Sequence, residues 1–129
     1  MTVRRISSGS SFEALAGYSR AVVDERYVHV SGTTGFDYAA MTIVDDVIGQ
    51  THQVFANIAA ALKEAGASLD DVVRVHYLLV DAADFERVAP IFGQYFAKAR
   101  PAATALVVGL VDPRMKIEIE VTARLPEKR

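Results

Sequence analysis

The chain has 129 residues, 51% of them hydrophobic, and its 14 basic and 16 acidic side chains leave a formal charge of -2. We expect a single domain over residues 1–129, because the length suits one compact core and no break in composition divides the chain. The small, evenly spread charge argues against nucleic acid as a partner. The absence of cysteine excludes disulfides and thiolate chemistry.

The N-terminal segment bears on location. Its sequence, MTVRRISSGSSFEAL, lacks the apolar core of a secretory signal. No stretch approaches the roughly 20 apolar residues that cross a bilayer. We therefore predict a soluble, cytoplasmic protein with no membrane partner.

The first predicted element is a β-hairpin. Two short β-branched runs, at residues 19–24 and 27–32, flank the charged pair Asp24 and Glu25. The segment GTTGFDYAAMT follows and is rich in glycine, threonine and aromatic residues. It predicts a structured loop with a short extended piece at residues 41–44.

Helical spacing of apolar residues begins at Asp46 and predicts a first helix. Gly66 is expected to end it, because glycine accepts the left-handed backbone conformation that closes a helix. The apolar run at residues 72–80 then predicts a central strand.

A second helix is predicted after Asp81, which is placed to cap it. Pro90 interrupts its pattern. An interior proline costs roughly 3 kcal/mol in a regular helix, so we expect either a kink or a separate first turn. Pro101 marks the expected end of this helix.

Two further strands are predicted at residues 104–108 and 116–125, joined by a turn at Asp112 and Pro113. The order of elements indicates an α+β fold in which a mixed sheet carries two helices on one face. Strand alternation places a mixture of apolar and charged residues on the opposite face: His29, Ser31, Arg74, His76, Leu78, Val80, Glu118 and Glu120. A monomer usually avoids exposing such a surface, and a homo-oligomer packed sheet against sheet would cover it.

Several familiar sites are not supported by the spacing of the residues. The three histidines lack the spacing of a metal-ligand set, so we expect no metal. The segment from Gly32 to Gly35 lacks the lysine and the helix start of a phosphate-binding loop. The motif G-x-S-x-G of serine hydrolases is also absent.

One group of residues remains a candidate site. The stretch VSGTTGFD places the hydroxyls of Ser31 and Thr33 and the backbone of Gly32 at a strand end, where a small anion or carbonyl could be held. Tyr18 precedes the hairpin and could project toward the same region. Glu118 has apolar neighbours on both sides, and burial there would raise its pKa and suit it to general acid–base work. Ordinary strand and turn roles are the alternative for all of these residues.

Six segments together resemble one known family. They are GYSRAVV, YVHVSGTTG, NIAAALKEAGASLDDVV, VHYLLVDAADF, RPAATALVV and MKIEIEVTA, in this order over essentially the whole chain. The sequence is similar to the RidA/YjgF family. This resemblance implies a chorismate-mutase-like α+β fold that assembles as a homotrimer, with the sheets forming a central barrel and small-molecule clefts between subunits.

The resemblance also implies an activity. Family enzymes are 2-iminobutanoate/2-iminopropanoate deaminases, which hydrolyse reactive enamines and imines to 2-keto acids and ammonia without a cofactor. Tyr18, Ser31, Gly32 and Glu118 match the family's cleft residues. By this resemblance, Glu118 would hold the attacking water and Tyr18 would close the pocket.

The sequence departs from the family at the substrate carboxylate. The deaminases carry P-x-R-S, whose arginine binds that carboxylate bidentately, whereas this chain reads Pro101-Ala102-Ala103-Thr104. Ala103 therefore occupies the arginine position, with Thr104 beside it. Two more cleft positions, commonly asparagine and cysteine, fall on Ala89 and Ala105.

Arg20, two residues after Tyr18, is the candidate to replace the missing arginine, although strand alternation points its side chain to the opposite side of the strand from Ser19.

Two hypotheses for function follow. The first is a cofactor-free deaminase with an altered substrate, and the second is a trimer that binds a metabolite without turnover. A ribonuclease role, sometimes attached to the family, gains little support from a chain without a basic patch.

Overall fold

Eight strands and three helices follow one another in the part of the chain that the computed structural model describes, residues 3–127. In chain order they are β1 (Val3–Ile6), α1 (Ser11–Ala16), β2 (Ala21–Asp24), β3 (Tyr27–Thr34), β4 (Phe36–Asp37), β5 (Thr42–Ile43), α2 (Val47–Ala65), β6 (Val72–Leu79), α3 (Phe85–Tyr95), β7 (Ala102–Val107) and β8 (Ile117–Arg124).

The main sheet has six strands in the order β1-β2-β3-β8-β6-β7, and β4 and β5 form a separate ladder. β6 and β7 are parallel, whereas the other neighbouring pairs of the main sheet are antiparallel. The expected mixed sheet is therefore confirmed. The register between β3 and β8 shifts between Val30 and Thr33, so the strand is irregular at Ser31 and Gly32.

The predicted hairpin and first helix are also confirmed. Asp24 of β2 pairs with Tyr27 of β3 across a two-residue turn. The Asp46 side chain accepts a hydrogen bond from the backbone N–H of Gly49 and caps α2, and Gly66 ends it with φ 92°. α2 packs fully buried apolar side chains on the sheet, and each contributes about 1.5–3 kcal/mol of burial free energy.

The second helix has the expected separate first turn but ends earlier than predicted. Asp81 caps a short 3₁₀ turn, Ala82–Asp84, which precedes α3 and forms the separate first turn. Pro90 lies inside α3, where it lacks the N–H for the i−4 hydrogen bond. The helix ends at Tyr95, well before Pro101, and residues 96–99 form turns instead.

Both long helices lie on one face of the sheet, as predicted. Tyr77 of β6 stacks on Phe92 of α3 at a ring distance of 3.8 Å, and Phe55 of α2 contacts the same phenylalanine at 6.2 Å. The expectation of two helices omitted α1. It has only six residues, between a capping Ser10 and Gly17 at φ 73°, and is too short for a periodic apolar pattern.

The opposite face of the sheet carries the mixture of side chains expected from strand alternation. His76 Nδ1 lies 2.7 Å from Glu120 Oε1, and Arg74 donates to Thr104 Oγ1 at 3.0 Å. On the edge strand β7, Leu106 and Val107 are 48% and 57% exposed.

Over residues 3–127, no helix has the length and apolar character needed to cross a membrane.

Candidate functional site

Glu118 lies near the start of β8, opposite Thr34 of β3 and Leu78 of β6. Its side chain is half-buried and points to the face away from α2 and α3. Burial raises the pKa of Glu118, the nearby Glu120 carboxylate raises it further, and the positive charge of Arg20 opposes the rise. The carboxyl group therefore holds its proton more tightly than an exposed glutamate does.

Gly32 makes room for this carboxyl group. A β-carbon built on Gly32 would lie 2.8 Å from Cδ and 2.9 Å from Oε2 of Glu118. The space that a side chain would fill is thus occupied by the carboxyl group itself. Gly32 lies at the irregularity of β3, where the register to β8 shifts.

A cavity of about 160 Å³ opens beside Glu118. It is lined by Phe12, Leu15, Ala16, Tyr18, Gly32, Thr34, Tyr38, Val111, Met115 and Glu118. Leu15 and Val111 are 86% and 94% exposed, so two apolar side chains border the cavity without cover from the described chain. The lining is mainly apolar, with one carboxyl group in it.

Tyr18 is placed in this wall by the end of α1. Its backbone N–H donates to the Glu13 carbonyl at 3.1 Å, directly after the left-handed Gly17. Burial raises the pKa of the Tyr18 phenol, so the hydroxyl stays protonated at neutral pH. A neutral hydroxyl can both donate and accept a hydrogen bond in the cavity.

The Ser31 and Thr33 hydroxyls of the VSGTTGFD segment bond mainly to backbone. Ser31 Oγ donates to the Ser19 carbonyl at 2.6 Å, and Thr33 Oγ1 donates to the Ser31 carbonyl at 2.7 Å. Ser31 Oγ keeps its acceptor sites, whereas the fully buried Thr33 also accepts from Arg20 at 3.1 Å. These bonds fix the irregular part of β3.

Arg20 is only 1% exposed, and its guanidinium lies behind the wall of the Glu118 cavity. It donates to the Gly32 carbonyl at 2.8 Å and reaches the Tyr18 hydroxyl at 3.4 Å. Arg20 lines a neighbouring cavity of about 250 Å³ instead, together with Asn57 and Glu64 of α2.

The β7 residues lie away from Glu118 within one chain. Ala103 is exposed and pairs with Val75, and Thr104 pairs with His76. β6 separates β7 from β8, and Val75 pairs with Val121 of β8, three residues beyond Glu118. The other two alanine positions, Ala89 on α3 and Ala105 on β7, are half-buried and exposed respectively.

The structure adds residues that the sequence interpretation missed. Phe12 and Leu15 of α1, Tyr38 and Met115 all line the Glu118 cavity. The only local signal for α1 is the pairing of a capping serine with a terminating glycine, which marks the ends of a helix.

Within residues 3–127, no group of three or more histidine, aspartate or glutamate side chains is arranged to hold a metal ion.

Comparisons with known proteins identify the family of the chain and support its fold. The endoribonuclease L-PSP family model matches residues 8–125. The 2-iminobutanoate/2-iminopropanoate deaminase of Capra hircus is 37% identical over 123 residues, covering 94% of this chain and 90% of that protein.

Two solved structures extend the comparison. A member of the YjgF/YER057c/UK114 family from Mycobacterium tuberculosis superposes with a TM-score of 0.88 at 38% identity, covering 96% of this chain and 100% of that one. RidA from the Antarctic bacterium Psychrobacter sp. superposes with a TM-score of 0.84 at 31% identity, covering 94% of this chain and 98% of that one.

Proposed function

The chain belongs to the RidA/YjgF family, and we propose that it hydrolyses a small imine or enamine to a carbonyl compound and ammonium without a cofactor. The observation that carries the proposal is the half-buried Glu118 carboxyl group in an apolar cavity, against Gly32 and beside Tyr18. A carboxyl group with a raised pKa can take a proton from water and later return it.

The chemistry needs only water and one acid–base group. Glu118 as the carboxylate accepts a proton from water while the water oxygen bonds to the carbon of the protonated imine, which gives a neutral amino alcohol. The protonated Glu118 then gives this proton to the nitrogen. The carbon–nitrogen bond breaks and releases ammonia, the hydroxyl proton passes to Glu118 and from Glu118 to the ammonia, and the products are a carbonyl compound and ammonium. The Tyr18 hydroxyl can hydrogen-bond the reacting oxygen or nitrogen.

The proposed substrate differs from 2-iminobutanoate and 2-iminopropanoate. Ala103 offers no charge to a substrate carboxylate, and Ala89 and Ala105 offer no polar atom beyond the backbone. The exposed Leu15 and Val111 favour a larger, apolar substrate side chain, because burying it would remove apolar surface from water. We therefore propose imines with branched or aromatic side chains.

The site is proposed to be completed by a second subunit of a homotrimer. The uncovered sheet face and the apolar edge strand β7 support an interface between copies. In this arrangement β7 of a neighbour, with its own Ala103 and Thr104, would lie against the Glu118 cavity. A solution mass three times the 14.0 kDa of one chain would support the trimer, and the mass of one chain would refute it.

An imine-hydrolysis assay tests the function directly. An amino-acid oxidase generates imines from alanine, leucine or phenylalanine, and semicarbazide traps the imine that remains. We expect the protein to accelerate imine loss, most for the two larger side chains. Glu118→Gln should lower the rate by about a hundredfold or more, since it removes the acid–base group.

Glu120→Gln is the matched control. It removes a carboxylate from the same face of the same strand, but Glu120 is exposed and pairs with His76. It should leave most of the activity and move the acidic limb of the pH–rate profile to lower pH, because the Glu120 carboxylate raises the pKa of Glu118. An equal rate with and without the wild-type protein for every imine would refute the proposal.

A binding protein without turnover is the second candidate, and it is favoured by alanine at positions 89, 103 and 105, because these positions, which the family resemblance assigns to the cleft, then offer no polar side chain. A ligand that raises the melting temperature and is recovered chemically unchanged would support this alternative. Conversion of the same ligand would support the enzyme.

A further inference from the structure

A buried arginine stands behind the proposed site without lining its cavity. Arg20 is 1% exposed, and its Nη1 donates to the Gly32 carbonyl at 2.8 Å and to Thr33 Oγ1 at 3.1 Å. Gly32 is the residue whose missing side chain makes room for the Glu118 carboxyl group. Arg20 therefore bonds to the backbone that sets the position of this wall.

The same guanidinium contacts two tyrosines of the cavity. Its Nη2 lies 3.4 Å from the Tyr18 hydroxyl, and its Cζ lies 4.3 Å from the centre of the Tyr38 ring. The Tyr38 hydroxyl in turn accepts from the backbone N–H of Thr34 at 2.8 Å. Arg20 thus contacts three residues that line the cavity from different parts of the chain: Tyr18, Gly32 and Tyr38.

The charge of Arg20 is balanced through a serine. Arg20 Nε lies 3.4 Å from Ser8 Oγ, and the hydroxyl and backbone N–H of Ser8 both donate to Glu13 Oε2. Burial raises the pKa of Glu13, but the hydrogen bonds from Ser8 and Ser7 and the positive charge of Arg20 together lower it, so the group is a carboxylate at neutral pH. A negative charge on α1 is therefore linked to the buried guanidinium through one hydroxyl.

We infer that Arg20 is a positioning residue for the proposed reaction, because its guanidinium holds the Tyr18 hydroxyl and the Gly32 backbone in place around Glu118. This inference rests on the proposed function. It differs from a direct contact between Arg20 and a substrate carboxylate. The bonds to Gly32 and Thr33 direct the guanidinium to the protein, so its effect would reach the substrate through Tyr18 and Glu118.

The electrostatic consequence can be measured. The charged groups that act on Glu118 are Glu120 on its own strand, which raises its pKa, and Arg20, which lowers it. The Tyr18 and Tyr38 hydroxyls also line its cavity. Removing the Arg20 charge should raise the Glu118 pKa further and move the acidic limb of the pH–rate profile to higher pH.

The kinetic test compares Arg20→Gln and Arg20→Lys with the wild type. Arg20→Gln should lower kcat by about tenfold to a hundredfold and change KM less, because it releases groups that act in the reaction. Arg20→Lys keeps the charge and should retain the wild-type pH profile while losing part of kcat. Arg5→Gln, on the exposed part of β1, is the matched control and should behave as the wild type.

Several results would overturn the inference. One is a folded Arg20→Gln protein with unchanged kcat and an unchanged pH profile. Another is a rise in KM confined to substrates that carry a carboxylate, which would make Arg20 a direct binding residue. If Arg20→Gln fails to fold, Thr33→Val, which removes one acceptor of the guanidinium, should reproduce a smaller loss in kcat. An unchanged kcat in that variant would then count against the inference.

A readout independent of turnover separates this inference from the proposed function. NMR titration of carboxyl-labelled glutamate measures the Glu118 pKa in the resting protein, with Glu118→Gln to assign the signal. A higher Glu118 pKa in Arg20→Gln than in the wild type would support the positioning role even if no imine is hydrolysed. Equal pKa values in the two proteins would refute it even if the enzyme is active.

Discussion

The carboxyl group of Glu118 fills the space that a side chain at Gly32 would need: a β-carbon on the glycine would lie 2.8 Å from Cδ of the glutamate. The two residues come from neighbouring strands, β3 and β8, at the point where their register shifts. The carboxyl group therefore rests against bare backbone. Burial of this half-buried group raises its pKa, and the nearby Glu120 carboxylate raises it further.

Replacing Gly32 by alanine should displace the Glu118 carboxyl group. Because the contacted atoms are the end of a flexible side chain, the protein can adjust at small cost in stability, whereas the proposed acid–base group moves. We expect kcat/KM for imine hydrolysis to fall about tenfold or more, since small misplacements of a catalytic group are costly. The melting temperature should change little.

Gly93→Ala is the matched control for that substitution. A β-carbon on Gly93 meets nothing within 4 Å, and alanine is favoured over glycine in a helix. Activity should be retained in this variant. An active Gly32→Ala protein would contradict the placement of the site.

Glu118→Gln should stabilise the protein at neutral pH. The pKa of Glu118 is raised in the folded state, so its contribution to stability is fully present below the unfolded pKa and is lost as pH rises through the folded value. The melting-temperature gain of the variant should be small near pH 4 and grow toward pH 8. Melting curves across this range check the sign, and a gain that shrinks as pH rises would contradict it.

Ala103→Arg should create activity toward small 2-imino acids. In the proposed trimer, an arginine at position 103 of a neighbouring subunit would lie against the Glu118 cavity, where it can form a charge-assisted pair with a substrate carboxylate. Such bonds are worth about 1.5–3 kcal/mol, so kcat/KM for the alanine-derived imine should rise about tenfold or more. Ala102→Arg, on the opposite side of the same strand, should give no comparable gain. Equal effects of the two variants would indicate a general charge effect.

Gln50→Leu should destabilise the fold. The Gln50 side chain is fully buried, donates to the carbonyls of Val44 and Arg114 at 2.8 Å, and accepts from the N–H of Lys116 at 2.9 Å. Leucine would leave these backbone groups without partners, at about 1–3 kcal/mol each. Urea unfolding should show a loss of about 3 kcal/mol or more.

The sequence determined much of the fold because its patterns were long. The 19-residue α2 repeats its apolar positions over several turns and is bounded by Asp46 and Gly66. The alternation in β8 placed Glu118 and Glu120 on one face, and the register confirms this. The family, too, followed from segments spread over the whole chain.

Short and irregular elements were decided only by tertiary structure. α1 is too short for a periodic signal, and its position comes from packing Phe12 on Phe36 at 5.5 Å. The C-terminal end of α3 at Tyr95 differs from the end predicted near Pro101. A proline shows that a helix does not continue through it, but it does not show how far before the proline the helix ends.

The candidate site divides in the same way. The sequence alone identified Tyr18, Gly32 and Glu118 as candidate site residues, because each belongs to a recognisable local motif. The burial of Arg20 behind them, and its link to Glu13 through Ser8, join residues that no local pattern relates. Only the folded chain brings these groups within hydrogen-bonding distance, since the register shift in β3 and the turn after α1 set their separation.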